Sequence, residues 1–486
     1  MKGGPNNEEE DGLHFVLLPF MAQGHMIPML DLAKLLSLRG ASVSFITTPL
    51  NAARLRPSVD RAASVSPRPI SLVELPFPSA AAGLPDACEN VDELPSPDLG
   101  LPFIKSTKLL LGPSLHYLRH HHPPPSCVIT DSFLPWAREI AREFGVPRLV
   151  FQGISCFSTL CIRNLREHGV LERAGSECER LVVPGIPHEV AIKKSQMPGT
   201  QFKDLRAEMR EAEATADGVV VNSYEELERE YLNIFRATTG KKVWMVGPFS
   251  LANADEGDKI VRGKETSSEY QCMDWLERKE PKSVVYVSFG SIGRLSPPQT
   301  AELARALEGS GRDFIWVVKS WDGLPEEFKE RPITERRMVI MGWAPQVAIL
   351  SHRAVGGFVT HCGWNSTVEA LCAGVPMVCW PLFAEQFFNE RQVVDVLRVG
   401  VGVGVENPNG WAGEEAGELV KREAVEKALE EVMEGGAEGV GRRERARELG
   451  DMARMATEVG GSSFVNLTRL IDYVWKCEST KDVRES

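Results

Sequence analysis

Along most of this chain, short apolar runs alternate with longer stretches whose apolar residues recur at helical spacing. In the first half the runs His14 to Phe20, Ala41 to Thr48, Ser71 to Leu75, Cys127 to Thr130, Pro147 to Phe151, Gly218 to Val221 and Val243 to Val246 predict strands. In the second half Ser283 to Phe289, Phe314 to Val318, Met338 to Gly342, Ala354 to Thr360, Pro376 to Pro381 and Val401 to Val405 do the same. Helical patterns lie between them. One begins after Met21-Ala22-Gln23-Gly24, with Pro28 in its first turn and Leu30, Ala33 and Leu36 inward. Another runs from Ser296-Pro297 to about Gly309, and a third carries Val425, Leu429 and Val432 on one face. Such alternation predicts an α/β fold in which helices cover both faces of a parallel sheet, formed twice. Gly247-Pro248, followed by the polar and charged stretch Leu251 to Thr266, reads as the linker.

The chemistry is concentrated between Trp343 and Gln386. The strand Ala354 to Thr360 breaks at His361-Cys362-Gly363, and the helix Trp364 to Ala373 follows. A helix start has unpaired N–H groups and partial positive charge, so with His361, Asn365 and Ser366 beside it this one suits a diphosphate without a lysine. Glu369 lies one turn beyond Asn365 on the same face, where a carboxylate can accept both hydroxyls of a ribose. Glu385-Gln386 follows the strand Pro376 to Pro381 and can grip neighbouring sugar hydroxyls. Trp343, at the exit of Met338 to Gly342, offers a flat face to a base. Gly290-Ser291 opens the second half and is expected to complete the diphosphate site through Ser291.

A base is expected from the other half. His25 sits at the mouth of the first strand-to-helix turn, and imidazole titrates near pH 6.5. Asp131 ends the strand Cys127 to Thr130, ahead of the helical pattern Ser132 to Phe144. In a parallel sheet it reaches the same carboxyl edge as His25 and can fix the imidazole tautomer. Each residue also has a plainer reading: His25 as a surface or cap residue, Asp131 as an N-cap, Trp343 and Trp364 as core, Glu369 as a solvated helix face. Those readings would require many coincidences in one short window.

The segment Trp343 to Gln386 resembles the plant secondary-product glycosyltransferase box, from its opening tryptophan to its closing glutamine. PFMAQGHMIPML and VITDSF are similar to the catalytic histidine and aspartate motifs of the same family. The resemblance implies two facing Rossmann-like domains of the GT-B type with a cleft between them. It implies that Trp343 stacks on uracil, the Ala344 backbone binds the uracil edge, and Gln346 and Glu369 hold ribose. His361, Asn365 and Ser366 would hold the diphosphate, while Trp364, Glu385 and Gln386 would contact the sugar. A closing glutamine implies a preference for UDP-glucose; Glu385 stands where many members carry aspartate. The implied organisation is an acceptor domain over 1–248, a linker over 249–266, a donor domain over 267–460 and a terminal helix over 461–486 that returns to the first domain. The implied reaction is an inverting transfer with His25 as base, Asp131 orienting it, and no cofactor or metal.

Composition adds limits. The 486 residues, 43% of them apolar, suffice for two cores. A net charge of -12 argues against nucleic acid and anionic membranes as partners. Ten scattered cysteines fit a reducing compartment, and no segment reads as a signal peptide or membrane span, so a cytoplasmic, monomeric protein is the expectation. His120-His121-His122, next to three prolines, reads as a polar loop rather than a metal site. The sequon Asn466-Leu467-Thr468 matters only for a secreted chain. For the acceptor, Phe20, Phe103, Phe133 and Phe157 are candidate lining residues, which suits a flat or polycyclic hydroxyl compound. The subgroup resembled acts on flavonoids, terpenoids and steroids. The loops around Pro76 to Gly100 and Ser176 to Thr200 complete the pocket. Where the resembled family often places a hydroxyl beside a glycine to meet the sugar, this chain has Gly153-Ile154-Ser155, so Ser155 or a backbone N–H is the candidate contact. Two rivals remain at this point: a sugar-nucleotide epimerase and a non-catalytic nucleotide-sugar binder.

Overall fold

The computed structural model describes residues 12–198, 203–252, 259, 262, 269–409, 419–434 and 436–485. Most of the linker expected over Leu251 to Thr266 therefore lies outside the described residues. Two all-parallel sheets form. The first contains β1 (His14–Leu18), β2 (Ser42–Thr47), β3 (Ile70–Glu74), β4 (Cys127–Asp131), β5 (Arg148–Gln152), β8 (Gly218–Val221) and β9 (Lys242–Met245), in the order β3-β2-β1-β4-β5-β8-β9. The second contains β10 (Val284–Ser288), β11 (Asp313–Val318), β12 (Arg337–Met341), β13 (Val355–Thr360), β14 (Met377–Cys379) and β15 (Gly400–Gly402), in the order β12-β11-β10-β13-β14-β15. A small antiparallel hairpin, β6 (Arg180–Val182) with β7 (Ala191–Lys193), stands apart and was not expected from the sequence.

The central strands are apolar throughout because helices cover both faces. Along β1, Phe15 and Leu17 enter one cluster with Met29, Leu32 and Leu36, while Val16 and Leu18 enter another with Ile104 and Ile140. Along β10, Val284 and Tyr286 face one core and Val285 and Val287 the opposite one. Each such side chain, fully buried, contributes about 1.5–3 kcal/mol. The helix Ser462–Glu485 lies on the first sheet rather than the second: Leu467, Leu470 and Val474 join Phe15 and Trp244, and the Arg39 guanidinium stacks 3.8 Å from the Phe464 ring. Asn466 is only 2% exposed and bonds to Glu225 and to the Met245 carbonyl, so the sequon is not presented.

Both sheets reverse strand order once near the middle, between β1 and β4 and between β10 and β13. At such a reversal the connections leave in opposite directions and open a crevice at the carboxyl edge. His25 follows β1 and Asp131 ends β4; Ser291 follows β10 and His361 follows β13. Topology thus delivers the candidate groups of each half to its own crevice.

Candidate active site

The helix Gln23–Leu38 starts in the turn after β1 and carries His25 in its first turn. Its Nδ1 lies 2.7 Å from Asp131 Oδ2, and the aspartate side chain is 1% exposed while that of the histidine is 27% exposed. A carboxylate can only accept, so Nδ1 carries the proton and Nε2 keeps its lone pair. The other oxygen, Asp131 Oδ1, accepts the Phe133 N–H at 2.9 Å. Asp131 is therefore fixed from two sides and is not the N-cap of a long helix. The helical pattern expected from Ser132 resolves into a short 3-10 turn at Pro135–Ala137 and a helix only over Arg138–Phe144, because Pro135 disfavours helical backbone at Leu134. Burial alone would lower the His25 pKa. The charge of Asp131, its hydrogen bond and the charge of Glu385 outweigh that and raise it.

Aromatic rings set the imidazole. Phe20 and Phe133 stack at 5.0 Å, and each presents an edge-to-face contact to His25 at 5.4 Å. Phe103 stands behind Phe20 at 6.1 Å and is fully buried. Phe157 does not belong with them: it is buried against Tyr231 in a separate core, so it cannot line the same pocket. Ser155 is also not a sugar contact. It is fully buried, and its hydroxyl caps the helix Cys156–Glu167 by accepting the Ser158 N–H at 2.9 Å.

Across the cleft, the helix Trp364–Ala373 begins at Gly363 with no side-chain cap, so its first-turn N–H groups point to the crevice without intrahelical acceptors. His361 is wedged between two glycines. A Cβ at Gly290, where φ is +75°, would come within 2.6 Å of its Nε2, and one at Gly363 would overlap the ring. Burial pushes the His361 pKa down to about 4, so the imidazole is neutral near pH 7. Ser291 follows Gly290 in the same turn. Gln346, at the start of the helix Gln346–Ser351, donates to Ser366 Oγ at 2.9 Å and to Glu369 Oε2 at 2.8 Å. Trp343 and the buried Ala344 precede it at the exit of β12. Glu385 lies at the exit of β14, its pKa raised by burial against the opposing charges of His25 and Arg206. Gln386 spends its amide oxygen on the Leu382 and Phe383 N–H groups at 2.8 and 3.0 Å, and its amide N–H groups take no part in these bonds.

The expected sugar contact of the Trp364 side chain is replaced by another role. Its indole is 2% exposed and donates to the Asn222 carbonyl of the first half at 2.8 Å, so the side chain wedges the halves together. Asn365 does the same with both ends of its amide, donating to the Gly24 carbonyl at 2.5 Å and accepting from Asn222 Nδ2 at 3.1 Å. Ser158 donates to Asn389 Oδ1 at 2.8 Å beside them. This seam, with Asn222 and Asn389 at its centre, was missed in the sequence reading. Asn222 follows β8 at the carboxyl edge, which was the available signal. Among the described residues no group of His, Cys, Asp or Glu is arranged to hold a metal, and His120 and His121 bond instead to the His116 carbonyl and to Tyr117.

A two-domain α/β protein with a histidine-carboxylate pair facing a helix N-terminus across the cleft has the layout of a GT-B glycosyltransferase. Comparison with known proteins agrees. Residues 11–251 match the family described as "Glycosyltransferase, N-terminal domain", and residues 251–434 match "UDP-glucoronosyl and UDP-glucosyl transferase". UDP-glycosyltransferase 73D1 of Arabidopsis thaliana is 45% identical over 95% of this chain and 96% of its own length. UDP-glycosyltransferase 73C3 of the same plant is 43% identical over 97% and 98%. Among solved structures, Glycyrrhiza uralensis UGT73P12 complexed with glycyrrhetinic acid 3-O-monoglucuronide superposes with a TM-score of 0.89 at 36% identity, covering 98% of each chain. Phytolacca americana UGT2 complexed with UDP-2fluoro-glucose and pterostilbene gives 0.75 at 28% identity, covering 95% of this chain and 100% of that one. The chain belongs to the plant family 1 UDP-glycosyltransferases and is a glycosyltransferase enzyme. The epimerase and non-catalytic readings are thereby set aside. Among the described residues no helix is long and apolar enough to cross a membrane.

Proposed function

We propose that this enzyme transfers glucose from UDP-glucose, with inversion, to a hydroxyl of a small lipophilic plant metabolite of flavonoid, terpenoid or steroid type. The observation that carries the reading is the 2.7 Å contact between His25 and the buried Asp131, beside Phe20 and Phe133. His25 Nε2 takes the acceptor proton as the acceptor oxygen attacks the anomeric carbon from the face opposite the diphosphate. The new carbon-oxygen bond forms, the bond to the diphosphate breaks with its electron pair on the leaving oxygen, and a β-O-glucoside and UDP result. Asp131 holds the Nδ1 proton and stabilises the imidazolium. Charge builds on the leaving diphosphate in front of the helix start at Trp364, with Ser291, neutral His361, the backbone N–H of Asn365 and Ser366 as donors, which stabilises it electrostatically without a cofactor. Trp343 and Ala344 would hold uracil, Gln346 and Glu369 ribose, and Glu385 and Gln386 the sugar.

The relatives support a lipophilic acceptor, since two of them are solved in complex with glycyrrhetinic acid 3-O-monoglucuronide and with pterostilbene. An acceptor panel run with UDP-glucose, UDP-galactose and UDP-xylose, read by product mass, tests donor and acceptor class together. A hexose adduct formed preferentially from UDP-glucose on a hydroxylated polycyclic compound is expected. A pentose adduct as the main product would overturn the donor assignment.

A further inference from the structure

One buried amide joins three pieces of the candidate site. Asn389 lies one turn along the helix Gln386–Arg391, and its backbone N–H donates to the carbonyl of Glu385, the N-cap residue, at 3.0 Å. Its side chain is fully buried. Nδ2 donates to the Cys362 carbonyl at 2.8 Å, in the turn between β13 and the helix Trp364–Ala373. Oδ1 accepts the Ser158 hydroxyl of the first half at 2.8 Å. A backbone carbonyl only accepts, so these two partners leave the amide one orientation.

Both partners are themselves held. Cys362 stands at φ +63°, a left-handed conformation that a residue with a side chain keeps only where its surroundings impose it. Its N–H donates to Thr360 Oγ1 at 3.2 Å, and its carbonyl takes the Asn389 amide. Because a trans peptide sets its N–H opposite its carbonyl, the same bond fixes the direction of the Gly363 N–H. Ser158 sits in the first turn of the helix Cys156–Glu167, where the buried carboxylate of Glu228 accepts the Cys156 and Phe157 N–H groups at 3.3 and 2.8 Å. Glu228 also takes Gln392 Nε2 at 3.4 Å, and Phe388 packs with Phe157 and Tyr231. The helix that starts at Gln386 thus belongs to the second half by sequence and is anchored in the first by packing.

We infer that Asn389 is a positioning residue for the UDP-sugar, locking the turn His361-Cys362-Gly363, the Glu385-Gln386 pair and the first half into one register. The inference rests on the proposed reading of that turn as the diphosphate site. Asn389 acts on the diphosphate through the Cys362 peptide and on the sugar through the helix start. Ser158 orients the amide from the first half, so placement of the diphosphate depends on the seam between the halves. Loss of the amide frees the turn and the helix start together, and a misplacement of about 1 Å at a reacting centre can cost about 10²-fold in rate.

N389L keeps the approximate size of the side chain and removes both of its hydrogen bonds. Calorimetry should show UDP bound about tenfold more weakly. The kcat/KM for UDP-glucose should fall about 10²-fold, while the acceptor KM stays at the wild-type value. A merely structural loss would reduce the fraction of active enzyme, and so kcat, but leave the UDP dissociation constant and both KM values unchanged. S158A, a smaller change, should weaken UDP binding about threefold. Wild-type UDP affinity in folded N389L overturns the inference; where N389L does not fold, wild-type UDP affinity in S158A overturns it. G363A separates the two layers. Unchanged UDP affinity in G363A removes the diphosphate reading of the turn and the inference with it, whereas weakened affinity in G363A beside an unchanged N389L removes the inference alone.

Discussion

Replacing Asp131 probes the proposed catalytic pair at its most constrained atom. The side chain is 1% exposed and 2.7 Å from His25 Nδ1, so its loss removes a charge-assisted hydrogen bond from the imidazolium that forms as the acceptor is deprotonated. Such bonds contribute about 1.5–3 kcal/mol, which is about 10- to 150-fold in rate. D131A should lower kcat/KM by that factor. D131N should lower it further, for a geometric reason. Its carbonyl oxygen is held by the Phe133 N–H that now bonds Oδ1, so its NH2 group faces His25 Nδ1. The imidazole must then accept at Nδ1 and carry its proton on Nε2, the wrong tautomer for a base. The pH profile gives an independent readout. The base works unprotonated, so activity rises with pH through the His25 pKa, and the charge and hydrogen bond of Asp131 raise that pKa against the opposing effect of burial. Removing them moves the acid limb to lower pH in both variants. Initial rates of UDP release across pH 5 to 9, with UDP affinity as a control, measure both effects. A D131N enzyme with kcat/KM within about threefold of wild type and an unmoved acid limb would refute the assignment.

Three further outcomes follow from the same geometry. G363A places a Cβ into the His361 ring and should weaken UDP binding about tenfold, as read by calorimetry, through loss of one well-placed donor. His14 is 1% exposed and burial, with His121 nearby, pushes its pKa down to about 4. The unfolded chain then binds the extra proton below about pH 6.5, so stability present above that pH is lost as pH falls towards 4, by about 2 kcal/mol at pH 5. The melting temperature of H14Q should therefore fall less than that of wild type between pH 7 and 5. On the proposed reading the helix start at Trp364 supplies the positive potential for the diphosphate, so turnover should persist in EDTA, measured as UDP release on dialysed enzyme.

The strands were legible because apolar runs such as Val16-Leu17-Leu18 and Val284-Val285 can only be buried on two faces, and their alternation with helices fixes a parallel sheet. His25 and Asp131 could be paired from sequence because strand ends share one edge. What could not be read came from contacts between the halves. Nothing local distinguishes Trp364 as a wedge from Trp364 as a sugar contact until Asn222 is known to lie opposite its indole N–H. The same holds for Phe157, a core residue against Tyr231, and for Ser155, whose capping role depends on where the helix Cys156–Glu167 starts. Arg262 lay in a stretch whose polarity suggested only a solvated connection, and a guanidinium buried between Asp31 and Glu369 leaves no periodic trace. The hairpin β6-β7 was hidden by strands of three residues each, too short for a period to register.

The central claim is that an imidazole from the first half acts on a sugar held by the second, and H25A tests it most directly. Single-turnover formation of the glucoside from UDP-glucose, on an acceptor found in the panel, should slow by about 10²- to 10⁴-fold while calorimetric affinity for UDP stays at the wild-type value. A folded H25A enzyme that forms the glucoside at the wild-type rate would contradict the account.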